Sequence, residues 1–503
     1  VNSSDRFKEI RNMVCGVERD GFVNKIVYML RMSDSFTFER IVASRMPLPW
    51  VLCSILKLVM IYGGTNNKLR MIDDNIFACV YNKVLDNSAV YQGELMKVGS
   101  INPFMCAINC QQVLYQREIN LEVFARINYL FFNGSKNVGV CFEEMNGLSV
   151  GKYIDMMFMV YLHVHCCPKE IEFDYGKMLV RFGMKENDVK EFINISSRSV
   201  SRLRLELKKD SKIKNFDYSL GEQSPFYNYP LLRLNGGYCA VYSKKIIERS
   251  IEIYLYEYVK TLNSKLTQEF DSRFESYVGK ILEGSGASYF DEKQLGRMYR
   301  GKKTDFLVEE DGCSIMIEVK SVRLKDQIRV SPTRERVLKE FKTSIVDAIF
   351  QGHELSNVLQ DGKFGKKFYL LIVTYDDVEL GAAGTMYDYY FEEYINECFE
   401  SGKNIRGCLE KNRIFIISSR CFERVCAYRK KYGSFLSLLD DAVLSNEKTE
   451  TRKFSLSMSL PKEKIPWVKF AHEQFDEAFE RILALFPESE VAANRERLKQ
   501  GTD

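Results

Sequence analysis

Proline is scarce, at 10 residues in a chain of 503, and glycine numbers only 30; collagen-like and linker-dominated architectures are excluded. No charge of one sign prevails either. Seventy-two Lys and Arg oppose 68 Asp and Glu, a net +4, so charge has to be read locally before it says anything about partners. Long apolar runs are also missing. The best one, Trp50 to Tyr62, is interrupted by Lys57 and falls short of the ~20 residues a membrane helix needs. The start, Val1-Asn2-Ser3-Ser4-Asp5-Arg6, is polar and leads no signal-peptide core. The expectation is a soluble, cytoplasmic protein with no membrane partner. There is no internal repeat, no low-complexity tract and no Gly-rich phosphate loop of the Walker type, so ATP hydrolysis is not expected.

What is present is enough to build large cores. Hydrophobic residues make up 46% of the chain, with 28 Tyr and 34 Phe among them. Fourteen cysteines are scattered between Cys15 and Cys426, mostly in apolar contexts such as Val51-Leu52-Cys53. They form no dense disulfide framework and are expected to be reduced, buried thiols.

Residues 1 to about 205 read as helices joined by polar turns, for example Phe22 to Met32, Pro49 to Tyr62, Ile101 to Asn128 and Lys152 to His163. Between Lys208 and Gly237 a charge run is followed by Ser224-Pro225, Tyr229-Pro230 and Gly236-Gly237, and a boundary is placed near residue 245. Beyond it the pattern turns mixed. A helix over about Gln268 to Leu282 precedes strands at Thr304 to Glu309 and Ser314 to Ser321, joined by a Glu310-Asp311-Gly312 turn. A helix over Glu335 to Leu359 and two nearly continuous apolar strands, Phe368 to Thr374 and Arg413 to Ser418, complete an α/β pattern. An amphipathic helix is expected from Trp467 to Leu485, with frayed residues after it. The expected division is a mainly helical region over 1–245, an α/β domain over 246–440 and a helical extension over 441–503.

One stretch carries chemistry. In Ile315-Met316-Ile317-Glu318-Val319-Lys320-Ser321, Glu318 and Lys320 stand two apart on a strand and share a face, while Ile317 and Val319 should point into the core. Asp305 opens the preceding strand, and the hairpin can bring its carboxylate beside that of Glu318. Two carboxylates and an ammonium on one face are costly to hold together unless something binds there. A divalent cation is the obvious candidate, and oxygen donors favour Mg²⁺ or Mn²⁺.

This arrangement resembles the PD-(D/E)xK nuclease superfamily, whose hallmark is an Asp, a hairpin, then Glu-x-Lys. The resemblance spans about Glu269 to Ser418. It includes Phe274-Glu275-Ser276-Tyr277-Val278-Gly279-Lys280-Ile281-Leu282, which is similar to the first core helix of Mrr-like restriction-endonuclease folds, with a metal-site Glu after Phe. Gln351 falls where many members place a supporting Gln. Thr304 stands where a Pro is common. The resemblance implies a restriction-endonuclease-like core, a central mixed sheet flanked by helices, preceded here by a large helical region. It also implies phosphodiester hydrolysis of DNA, or of RNA including tRNA, with Asp305, Glu318 and Glu275 as metal ligands and Lys320 orienting water. A role in bacterial phage defence follows by analogy alone.

Local charge fits a polyanionic substrate. Between Lys293 and Lys342 there are thirteen Lys and Arg against eight Asp and Glu, an excess of +5. Arg297, Arg300, Lys302 and Lys303 precede Asp305, and Arg323 and Lys325 follow Lys320; these are the candidate phosphate contacts. The helical region is expected to receive a regulator or trigger protein, and homo-oligomerisation stays open. The competing class is a nuclease-fold scaffold that binds nucleic acid without cutting it. Other candidates are weaker. His163, His165, Cys166 and Cys167, with Cys106 and Cys110 far upstream, have zinc chemistry but no zinc-module spacing. His353 reads as a helix-surface residue.

Overall fold

The computed structural model describes residues 3–65, 69–96, 101–116, 121–133, 136–210, 224–360 and 367–485. The chain forms two compact units. One comprises Val1–Gly93, Gln111–Thr267 and Gln474–Asp503; the other comprises Glu94–Cys110 and Gln268–Glu473. The division falls after Thr267, not near 245, and residues beyond 440 are shared between the units instead of standing apart. The reason is the helix Lys244–Lys260, which buries Ile246, Ile247, Ile251, Ile253, Leu255 and Val259 and even Glu248, Arg249 and Glu252. Such a helix is a core element of the first unit, whatever the polar composition just before it. Residues 211–223 of that polar stretch, and the expected frayed terminus at 486–503, lie outside the described residues.

The first unit is mainly helical. Helix Pro49–Tyr62 has the expected bounds, with proline in the first turn where no amide partner is lost. It is buried on nearly all sides and packs in one cluster with Val23, Ile26, Val27 and Leu30 of helix Arg19–Ser33. Within the expected helix Ile101 to Asn128, the described residues form helices Ile101–Gln116, whose first ten residues belong to the second unit, and Glu122–Ile127, the latter running into a π-helical turn at Asn128–Phe132; residues 117–120 lie outside the described residues. A small mixed sheet has the order β1-β4-β3-β2, from β1 (Glu172–Phe173), β2 (Ser197–Ser199), β3 (Leu231–Arg233) and β4 (Cys239–Val241).

The second unit is an α/β structure. Five strands lie in sequence order: β5 (Tyr289–Asp291), β6 (Phe306–Glu310), β7 (Cys313–Lys320), β8 (Lys367–Thr374) and β9 (Ile414–Ser418). The first three pair antiparallel and the last three parallel. The β6–β7 hairpin turns on Asp311 and Gly312, both at positive φ (48° and 76°), the two-residue turn whose twist matches the strands. Helix Ile345–Gln360 covers one face, with Ile349 and Leu355 in one cluster with Met316, Leu370 and Ile372. Helix Ser264–Gly284 lies on the other, approaching so closely that a Cβ on Gly279 would meet the Phe306 ring at 3.1 Å. The long helix expected over Glu335 to Leu359 is two helices, Arg334–Phe341 and Ile345–Gln360, broken at Lys342-Thr343-Ser344. Among the described residues no helix is long and apolar enough to cross a membrane.

Candidate active site

The hairpin register brings the Asp and the Glu-x-Lys together. Phe306 pairs with Ile317, so Asp305, one residue before β6, lies beside Glu318 at the end of the ladder. Asp305 Oδ2 accepts a hydrogen bond from the Val319 amide at 2.6 Å. Thr304 is fully buried, and its hydroxyl donates to the Phe306 carbonyl at 3.2 Å, closing the turn that presents Asp305. Lys320 Nζ lies 2.6 Å from Glu318 Oε1. Ser321, the next residue, donates from its hydroxyl to Asp271, one turn before Glu275 on helix Ser264–Gly284. Strand end and helix are thereby tied.

Burial differs from the simple alternation expected. Glu318 is only 2% exposed, whereas Val319 is half-buried. Glu318 shares its sheet face with Met316, and helix Ile345–Gln360 covers that face, so the charged side chain goes under with its apolar neighbours. Glu318 Oε2 is buried with no hydrogen-bond partner. An orphaned carboxylate oxygen in a nearly closed site is expensive unless a cation or proton completes it.

The electrostatics carry the same message. Burial, then the neighbouring Asp305, pushes the Glu318 carboxyl up to about 8 against the pull of Lys320. Burial, with Glu292 adding to it, lifts Asp305 to about 6, opposed by the Val319 amide and Lys320. Burial, Asp305 and Glu292 raise Glu275 to about 7, opposed by Lys320 and Lys293. Burial works against the Lys320 ammonium, but Glu318, Asp305 and Asp347 outweigh it and its pKa is raised. Three carboxyls in one largely buried field thus resist being charged together.

Asp305, Glu318 and Lys320 are brought together, and Glu275 stands within their field. The carboxylates do not close into a three-ligand cage: among the described residues, only His163, Cys167 and Glu170 have ligand atoms all within 4.8 Å of one another. Gln351 does not reach the carboxylates. Its amide donates to the Lys303 carbonyl at 3.3 Å, and Glu354, one turn on, accepts from the Lys302 amide at 2.8 Å. Both hold the backbone that leads into Asp305. The oxygen-only donors of Asp305 and Glu318, one of them orphaned, fit a hard divalent cation such as Mg²⁺ or Mn²⁺.

The basic flanks are unequal. Arg297, Arg300 and Lys302 are exposed, and the Lys303 ammonium donates to the Gly301 carbonyl at 3.0 Å. Arg323 is a correction: it is 7% exposed and bound to Asp326 at 2.8 Å and Asp376 at 3.6 Å, so it is not available to phosphate. Asp326, three residues on, and Asp376, from a later segment, claim it. Lys325 is exposed and pairs with Glu340 at 2.9 Å. His353 is a second correction. It is 5% exposed, because the loop at Gly407, whose amide donates to its Nδ1, and Phe399, edge-on to its ring at 5.0 Å, cover that side of its helix.

Sequence reasoning missed Glu292, Asp347, Asp271 and Glu354. Glu292 was within reach, since the antiparallel pairing of Asp291 with Phe306 puts it level with Asp305. Glu354 carried only its one-turn spacing from Gln351. No protein-family model matches this chain, and no curated protein matches it.

Proposed function

We propose that the second unit is a metal-dependent nuclease site hydrolysing phosphodiester bonds, with Asp305 and Glu318 as the cation ligands. The observation that carries this reading is the buried Glu318, bound by Lys320 on one oxygen and orphaned on the other, beside Asp305. A bound divalent cation supplies Lewis-acid polarisation of a phosphoryl oxygen and acidifies a bound water. The chain's own groups do the rest. Lys320 holds a proton donor at the Glu318 carboxylate and offers positive charge to the phosphate as negative charge develops on it. Glu275, with its carboxyl near 7, adds a further oxygen donor at the edge of the same field. The exposed Arg297, Arg300 and Lys302 supply backbone-directed charge without base specificity, and DNA is the favoured substrate.

The test is cleavage by the full chain with Mg²⁺ on supercoiled DNA, linear DNA and total RNA. Expected is cleavage of at least one substrate, lost with EDTA and in Lys320→Ala. Binding without cleavage under Mg²⁺ and Mn²⁺ identifies the scaffold instead.

A further inference from the structure

A second cluster stands outside this site, in the first unit. Helix Val150–Cys166 puts His163 one turn before Cys167, whose amide donates to the His163 carbonyl at 2.8 Å. A turn closed by the Glu170 amide on the Cys167 carbonyl, at 3.1 Å, then returns Glu170 to the same place. Glu170 Oε2 lies 3.2 Å from His163 Nε2, and the ligand atoms of all three residues lie within 4.8 Å of one another.

The imidazole is fixed before any ion arrives. Its ring lies 4.0 Å from that of Phe173 on β1 and meets Tyr175 edge-on at 5.4 Å. Nε2 meets the Glu170 carboxylate, and the Cys167 sulfur belongs to the same group of ligand atoms. One imidazole nitrogen, one sulfur and one carboxylate oxygen form a borderline donor set of the kind Zn²⁺ takes, and not one that suits Mg²⁺. Charge also balances, since a thiolate and a carboxylate neutralise a dication. The helix end contributes negative potential. Arg31 occupies the Val164, Cys167 and Pro168 carbonyls, but its charge is met by Asp34 at 3.2 Å.

We infer that His163, Cys167 and Glu170 form a Zn²⁺ site, with a fourth position open to water, that ties the end of helix Val150–Cys166 to the start of β1. His165, stacked on Tyr161, takes no part. Cys106 belongs to the core of the other unit, and the side chain of Cys110 lies outside the described residues.

The full chain, stripped by a chelator, is titrated with Zn²⁺ against a chromophoric competitor and separately with Co²⁺ followed by absorption. Expected is a Co²⁺ complex with a thiolate-to-metal charge-transfer band, a feature that the thiol-free Asp305–Glu318 site cannot produce. Cys167→Ser should abolish the band and weaken Zn²⁺ at least ~100-fold, the upper end of what even indirect partners of metal ligands cost. Glu170→Gln, at a side chain 52% exposed whose replacement leaves the core intact, should weaken it at least ~10-fold. Cys166→Ser should match wild type. Absence of the band in wild type, or unchanged Zn²⁺ affinity in both Cys167→Ser and Glu170→Gln, overturns the site and leaves a plain His–Glu hydrogen bond.

Discussion

Replacing Glu318 by Gln should make the metal-free protein more stable while removing its response to metal. Glu318 is 2% exposed and its carboxyl titrates near 8 instead of its ordinary 4.5. Between those values the unfolded chain has released the proton and the folded chain has not. Stability contributed by this group is therefore full below pH 4.5 and is lost as pH rises towards 8. At pH 7 the loss is about 3 kcal/mol, from about 1.4 kcal/mol per pH unit. Gln carries no such penalty. The pull of Lys320 is already contained in that shift and takes nothing further from it. The net gain is therefore about 3 kcal/mol, or roughly 6–12 °C for a domain of this size. Melting in EDTA at pH 7 should rank Glu318→Gln above wild type. Mn²⁺ at ~100 times its dissociation constant should then raise wild type by about 2.7 kcal/mol and leave the variant unmoved. A variant melting at or below wild type in EDTA would refute the reasoning from desolvation.

Asp305→Ala should abolish cleavage under Mg²⁺ with the fold intact by circular dichroism, since Asp305 is only half-buried; wild-type activity would remove it from the site. Ca²⁺ should bind yet support little cleavage, read as competition with Mg²⁺ in the same assay. Neutralising Arg297, Arg300, Lys302 and Lys303 together should weaken binding evenly across sequences. It should also flatten the log affinity–log salt slope by ~0.9 per lost phosphate contact on duplex, or ~0.7 on single strands; an unchanged slope marks a solvated face. His353, which burial holds down at about 4, disfavours its own protonation in the fold, so stability should fall as pH drops below 6.5, by about 2 kcal/mol at pH 5. The difference between wild-type and His353→Gln melting profiles over pH 7 to 5 measures this, and parallel profiles contradict it. Gly407→Ala should destabilise by about 1–3 kcal/mol or more, because its Cβ would stand 1.8 Å from the His353 carbonyl oxygen; an unchanged melting temperature counts against that packing.

Sequence alone determined what depends on neighbours along the chain. The bounds of helix Pro49–Tyr62, the β6–β7 hairpin, the apolar strands β8 and β9 and the shared face of Glu318 and Lys320 all follow from local periodicity and turn chemistry. That a hairpin could set Asp305 beside Glu318 was legible for the same reason, but the expected turn was Glu310-Asp311-Gly312, and the structure narrowed it to Asp311 and Gly312 and so fixed the register. The tertiary structure decided everything that depends on what packs against a residue from elsewhere. Helix Ile345–Gln360 closing over β7 turned Glu318 from a surface carboxylate into a buried one. Asp376, some fifty residues on, withdrew Arg323 from the solvent. The burial of helix Lys244–Lys260 moved the boundary to Thr267. Burial and charge pairing are sums over spatial neighbours, and a linear pattern records a residue's face but not what will cover it.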